Sequence, residues 1–303
     1  MSVSDAQYAE LLRRIEELEG EPRVGFGHVG EIRKSIEDMN KDYYLEVARG
    51  NIPGVKGINK FGKNEEIDST VVADIWSRGK TLASGGTSLI WVAPTAARIH
   101  SIVSDDDDDG KTASPNAAGA RTVKVYGLTS WTATETSETV TMAGTDGVNT
   151  NGAYVIIHRM KVMTSGGVGG VVNQGLITAV AAGDATITAA IEIGEGQTEM
   201  AIYGIPSIET IYINRIGVSM NKSGGAAALI DIDLHVNQEP DAQLLAFVHK
   251  HHIGLQSVGA SSLIIRFDPP KKIAGPAIVK LQAESSTNDV SISGWFDGVV
   301  VDN

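Results

Sequence analysis

Residues 230–236 read Ile-Asp-Ile-Asp-Leu-His-Val, and this stretch decides the fold class. Apolar and polar residues alternate along it. Because successive side chains of a strand point to opposite faces, a period of two predicts a strand with one buried face. Similar short runs recur from residue 86 onward, separated by Gly, Ser, Thr, Asn and Asp, which are residues typical of turns. We therefore predict a mainly β protein.

The β-like runs form two sets, one before and one after residue 194. Many short strands at such spacing are typical of sandwiches and barrels. A chain of 303 residues also exceeds the usual size of one domain. We predict two β-sandwich (jelly-roll-like) domains, over residues 86–193 and 194–303.

The first 49 residues differ in composition, since 18 of them are charged, against 62 in the whole chain. Apolar residues recur there at spacings of three and four, which places them on one helix face and predicts a short α-helical N-terminal region. Such short helices are marginal alone in water. We expect them to pack on sister chains or, alternatively, on the body of their own chain. The predicted oligomer or attachment seam consists of Tyr8, Leu11, Ile15, Leu18, Val29, Ile32, Ile36 and Met39.

Residues 50–85 carry several turn formers and no sustained period, so we predict an extended connector arm. Within the arm, residues 57–64 match a phosphate-binding P-loop except at Asn64, where a magnesium-binding Ser or Thr is required. A P-loop also links a buried strand to a helix, and the flanking sequence predicts neither. Nucleotide binding is not expected.

Charge and composition exclude several classes of protein. A net charge of −12 argues against nucleic acid as a partner, because binding to phosphates needs clustered Lys and Arg. The chain has no cysteine, which excludes disulfides and thiolate chemistry. No apolar run approaches the ~18 residues of a membrane span, so no membrane association is expected. We expect stability to come from packing and association.

The run Asp105 to Asp109 followed by Gly110 is the strongest local candidate for a metal site. Asp105, Asp107 and Asp109 match the start of an EF-hand loop, but the twelfth position is Asn116 instead of a bidentate Glu. We interpret the run as a solvated acidic loop tip. The three aspartates remain weak metal candidates, and no cofactor is expected.

Histidines 249, 251 and 252 form the one histidine cluster of the sequence. In a regular strand His249 and His251 share a face, and with His235 they form a possible transition-metal site. No carboxylate stands at ligand spacing beside them in the sequence. We therefore expect a half-exposed polar strand face instead of a metal site.

Motifs of catalysis are missing from the sequence. It contains no GxSxG elbow, HExxH helix, CxxC pair or GxGxxG fingerprint, so we expect a protein that is not an enzyme. A glycosidase stays open as an alternative, because its two carboxylates are often far apart in sequence.

Seven segments of the sequence are distinctive in combination: residues 50–68, 74–76, 120–131, 137–145, 157–162, 194–206 and 296–303. Together they resemble a family of virion structural proteins of tailed bacteriophages, often phages of aquatic bacteria. The resemblance covers the chain from about residue 46 to the C-terminus. The sequence departs from the family at residues 77–79, where an acidic, glycine-rich turn is expected, and in the run of five aspartates. The resemblance implies assembly and not turnover.

What the resemblance implies is a capsid-associated decoration, cement or head-fibre protein of the virion, made in the bacterial host cytoplasm. Its expected partners are itself, as a homotrimer, and virion proteins such as the major capsid, portal or tail proteins. The alternative is a neck or tail fibre or adaptor protein that binds a receptor or glycan. Trp91 and Trp131 are the aromatic candidates for such binding.

Overall fold

The structure is a computed structural model that describes residues 10, 13–14, 43–69, 71–77, 90–110, 118–166, 172–222, 227–241, 246–257 and 259–303. The chain divides into two compact units, Met1–Lys56 and Gly57–Asn303. In the first unit, residues 43–49 are helical and are followed by Gly50, whose φ of 74° is a conformation that glycine adopts without strain. None of the helices that the structure describes is long and apolar enough to cross a membrane.

Sixteen β-strands are present in the described residues. In chain order they are β1 (Val55–Ile67), β2 (Val72–Asp74), β3 (His100–Ser104), β4 (Ala120–Leu128), β5 (Thr136–Thr141), β6 (Val148–Asn149), β7 (Ile156–Ser165), β8 (Ile177–Ala181), β9 (Ile187–Ile191), β10 (Ile202–Ile205), β11 (Glu209–Lys222), β12 (Ala228–Asn237), β13 (Val248–Ser257), β14 (Ala260–Ala274), β15 (Ala277–Ser285) and β16 (Val290–Asp302). The prediction of a mainly β protein is confirmed.

The strands form four sheets. The first has the order β1-β16-β11-β14, and the second has the order β10-β15-β12-β13 with β2 also paired to β15. The third is β6-β3-β8-β9 and the fourth is β5-β4-β7. The finer prediction of two jelly-roll-like sandwiches is therefore wrong, because the four sheets are arranged more like the blades of a four-bladed propeller. Alternation identifies the buried face of a strand and not its neighbours.

The alternating stretch in β12 behaves as its sequence predicts. Ile230, Ile232, Leu234 and Val236 are buried in the first hydrophobic core, to which β11, β15 and β16 also contribute. Asp231, Asp233 and His235 alternate with them and therefore belong to the opposite face of the second sheet. This polar face carries the histidine cluster discussed below.

A second hydrophobic core is formed by side chains of the third and fourth sheets and of segments outside their strands. Its largest members include Trp76, Trp91, Trp131 and Tyr154. The second sheet contributes to both cores: Tyr203 and Val279 belong to the first, whereas Ile202 and Ile278 belong to the second. This sheet is therefore apolar on both faces along β10 and the start of β15.

Strand pairing joins residues 55–74 to the last two strands, β15 and β16. β1 lies beside β16 in the first sheet, and β2 pairs with β15 so that Ala73 lies opposite Ala283. Residues 55–67 and 72–74 of the predicted connector arm are thus built into the sheets and do not simply link domains. The predicted domain limits at residues 86 and 194 remain a prediction.

Candidate functional site

The predicted N-terminal seam lies outside the described residues. Tyr8, Leu11, Ile15, Leu18, Val29, Ile32, Ile36 and Met39 all fall in that part of the chain. Its role in association stays a prediction.

The run of five aspartates is not a uniformly solvated loop tip. Asp109 is fully buried, and its carboxylate accepts hydrogen bonds from Ser104 Oγ at 2.7 Å and from the backbone N–H groups of Ala120, Gln174 and Gly175 at 2.7, 2.9 and 2.8 Å. One carboxylate therefore ties together three separate segments of the chain. A sequence motif cannot reveal this, since five identical residues in a row do not show which one points inward.

The other two metal candidates of this loop bind the protein's own donors. Asp105 Oδ1 accepts the backbone N–H of Leu176 at 2.7 Å. Asp107 Oδ1 accepts hydrogen bonds from the hydroxyl and the backbone N–H of Thr145 at 2.6 and 3.2 Å, and these two bonds lower the pKa of Asp107. Asp105, Asp107 and Asp109 do not form one of the convergent ligand groups found in the described part of the chain. Their arrangement fastens the loop.

The P-loop-like segment is a strand. Residues 57–64 lie within β1, so they have no phosphate-binding loop geometry. Gly62 has no room for a side chain, because a Cβ atom there would collide with the backbone oxygen of Ile75. Lys60 is buried and donates to the backbone oxygen of His158. The lysine of this segment is thus a core residue.

Burial of Lys60 leads to a prediction about pH. Desolvation, with Arg159 acting in the same direction, lowers the pKa of Lys60 to about 7 from its usual 10.5. Between these two values the unfolded chain binds more protons than the folded one, so the free energy of unfolding rises with pH in this window. We expect Lys60→Met to reduce that slope by up to about 1.4 kcal/mol per pH unit, measured by urea denaturation between pH 7 and 10.

A matched control for this prediction is Lys63→Met on the same strand. Lys63 is only partly buried and pairs with Glu65 at 2.6 Å, so its replacement is expected to leave the slope unchanged. Parallel curves of stability against pH for wild type and Lys60→Met would show that Lys60 keeps its proton in the fold, contrary to expectation.

The two candidate glycan-binding tryptophans are core residues. Trp91 and Trp131 are 2% and 5% exposed. Trp91 Nε1 donates to the backbone oxygen of Thr188 at 2.8 Å. Because both side chains are buried, neither candidate offers a ring face for stacking on a glycan.

The histidine cluster differs from the sequence prediction because β13 is irregular. In its pairing with β12, His251 lies opposite Leu234 and His249 lies opposite His235, with a register shift between these pairs that leaves Lys250 unpaired. Such a bulge adds one residue and moves the next side chain to the other face. His249 therefore joins His235, whereas His251 lies with its ring against Phe267 at a centroid distance of 5.0 Å.

A carboxylate completes the cluster, contrary to the sequence interpretation. Asp233 Oδ1 lies 3.3 Å from His249 Nδ1 and accepts a hydrogen bond from His252 Nδ1 at 2.8 Å. Burial, together with His249 and Lys280, lowers the pKa of His235 to about 4, so its imidazole is neutral at pH 7. The hydrogen bond that His252 donates to Asp233 raises the pKa of His252.

An exposed edge that carries large apolar side chains lies at the end of two sheets. We call it the β13–β14 edge; it consists of β13 and β14, the last strands of the second and first sheets. Ile273 is the one buried residue of the fifteen in β14. Val248, Leu263 and Ile264 are 57%, 39% and 59% exposed. On one face of β14, Ile265 and Phe267 pack partly against the first core, whereas most other residues of the strand are exposed.

The comparisons with known proteins add a weak likeness. No protein-family model and no curated protein matches the chain. Among solved structures, the VP2 subviral particle of infectious bursal disease virus is similar with a TM-score of 0.20 and 9% identity, over 83% of this chain and 73% of that chain. The virus's Gt strain gives a TM-score of 0.19 and 10% identity, over 83% and 74%. These structures belong to a viral capsid protein and not to a phage family, and at such TM-scores they carry no argument about this chain.

Proposed function

We propose that this chain is a non-enzymatic structural component of a bacteriophage virion, a capsid-associated decoration, cement or head-fibre protein that self-associates. The virion assignment is supported by the sequence resemblance over residues 46–303. Self-association is supported by the exposed apolar side chains of the β13–β14 edge, and this observation carries the proposal. The expected assembly is a homotrimer attached to other virion proteins.

The edge has the properties of a contact surface between copies. An end strand presents unpaired backbone groups that readily pair with another chain. Val248, Leu263 and Ile264 are the large exposed apolar side chains of this edge. Each would contribute about 1.5–3 kcal/mol to the free energy of association if a contact fully covered it. Pro269 and Pro270 interrupt the pairing of β14, which restricts such strand pairing to the first half of the strand.

Charge also favours a second copy as the partner. β13 and β14 carry Lys250, Arg266, Lys271 and Lys272 but a single acid, Asp268, whereas the whole chain has a net charge of −12. A locally basic edge on an acidic protein is attracted to the acidic surface of another copy. The same attraction applies to an acidic surface of the particle.

The test is the oligomeric mass of the full-length chain. We expect wild type to be an oligomer in light scattering, and Leu263→Asp with Ile264→Asp to lower its mass, because two charges would have to be buried in the contact. Ile193→Asp is the control, since Ile193 is 61% exposed outside the edge. A monomeric wild type, or an equal loss of mass in the control, would exclude the edge as the contact.

The position on the particle is tested separately. In an electron-microscopy map of the virion, density for the chain on the capsid surface would support a decoration or head-fibre role. Density at the neck or tail would favour the alternative fibre or adaptor role. The two tryptophans that were candidates for glycan binding in that role, Trp91 and Trp131, are buried.

A further inference from the structure

Three side chains on the polar face of β12 and β13 converge on one point. Asp233, His235 and His249 each offer a ligand atom, and these atoms lie within 4.8 Å of one another. The distance from His249 Nδ1 to Asp233 Oδ1 is 3.3 Å. Ligand atoms around a tetrahedral zinc ion, bound at about 2.0–2.1 Å, are separated by about 3.3–3.4 Å. His249 Nδ1 and Asp233 Oδ1 are therefore already separated by the distance expected for two ligands of one zinc ion.

His235 supplies an independent observation. The residue is 6% exposed, and its buried Nε2 atom has no hydrogen-bond partner. Buried polar atoms are nearly always partnered, so an exception requires an explanation. The ring of His235 lies against that of His249, with 4.2 Å between centroids. A cation bound at His235 Nε2 would provide the missing partner.

The surroundings are compatible with a bound cation. His252 and Asp231 flank the group, with His252 Nε2 3.5 Å from Asp231 Oδ1, and the hydrogen bond from His252 orients the Asp233 carboxylate in the way that outer partners orient metal ligands. Lys280 is the one cation that opposes binding from the neighbouring strand. Its ammonium is paired with Asp74 at 2.8 Å, and this carboxylate reduces the repulsion between Lys280 and a cation bound at His235.

We propose that Asp233, His235 and His249 bind a divalent transition-metal ion of the zinc type. Two imidazoles and one carboxylate suit zinc, nickel or cobalt, whereas calcium and magnesium require oxygen ligands. Three protein ligands leave a fourth position for water. The ion would link β13, the last strand of the second sheet, to β12 in a protein that has no disulfides.

The test uses the untagged full-length chain after treatment with EDTA. Calorimetric titration with zinc chloride is expected to show one ion per chain and a rise in melting temperature. His249→Ala is expected to weaken binding by more than about tenfold. This side chain is 66% exposed, so its removal does not threaten the fold. Cobalt in place of zinc is expected to give the visible absorption of a tetrahedral site.

His251→Ala is the matched control, because His251 lies on the same strand but faces Phe267. It is expected to bind zinc as wild type does. Equal binding in wild type and His249→Ala, or an equal loss in His251→Ala, would overturn the proposal. So would half an ion per chain with a doubled mass in light scattering, since that result means that exposed histidines of two chains share the ion.

Discussion

Replacing Asp109 with alanine is expected to lower the free energy of unfolding by about 3 kcal/mol or more. The carboxylate is fully buried and accepts four hydrogen bonds, three of them from backbone N–H groups. Its removal leaves these donors buried without a partner, and each such group costs about 1–3 kcal/mol. Urea denaturation at pH 7 measures the change.

Asp108→Ala is the control for this prediction. Asp108 is the next residue of the same run and is exposed, so its replacement is expected to change the stability by less than about 0.5 kcal/mol. Equal losses in the two variants would mean that the acidity of the loop matters and not the buried carboxylate. No loss in Asp109→Ala would show that water replaces the carboxylate.

The same loop shows how far the sequence predicts this structure. Composition and alternation were sufficient for a mainly β protein and for the buried face of β12. They could not separate Asp109 from its neighbours, because the environment of the carboxylate comes from residues 120 and 174–175, which are distant in sequence. Side-chain periodicity carries no information about such contacts.

β1 was missed for a related reason. Its sequence, VKGINKFGKNEEI, is rich in Gly, Asn, Lys and Glu, which are depleted in strands. The strand forms because it lies beside β16, so a partner more than 200 residues away overrides local preference. Lys60 and Asn64, which a solvated arm would expose, are buried there.

The sequence-based grouping of the histidines was wrong because β13 contains one extra residue, Lys250. A regular β13 would place His249 and His251 on one face, as alternation predicts. The bulge at Lys250 separates them and turns His249 towards Asp233 and His235. Bulges are common near functional sites, but the local sequence VHKHHI contains no glycine or proline that would signal one.

The ion pair between Asp74 and Lys280 joins β2 to β15 within the second sheet. Lys280 Nζ lies 2.8 Å from the Asp74 carboxylate, and both side chains are almost completely buried. Asp74 also accepts the backbone N–H of Trp91 at 2.7 Å and the amide of Gln282 at 3.0 Å. Burial nevertheless raises the pKa of Asp74, which indicates that desolvation is the largest electrostatic cost of the pair.

Asp74→Ala is therefore expected to lower the free energy of unfolding by about 3–5 kcal/mol, because it leaves the ammonium of Lys280 buried and unpaired. Asp297→Ala is the control: Asp297 pairs with the 45% exposed Arg215 at 2.6 Å, and an exposed pair contributes about 1 kcal/mol or less. Denaturation of both variants by urea gives the comparison. Similar losses in the two would mean that Lys280 reaches solvent once its partner is removed.

The double variant Asp74→Ala with Lys280→Met separates the two roles of the carboxylate. If the unpaired ammonium causes most of the loss, removing it as well recovers much of the stability, because a pair of apolar groups avoids the desolvation cost. If the N–H of Trp91 and the amide of Gln282 depend on Asp74, the double variant stays as unstable as Asp74→Ala. We expect recovery of at least about half of the loss, since a charge costs more to bury unpaired than an amide does.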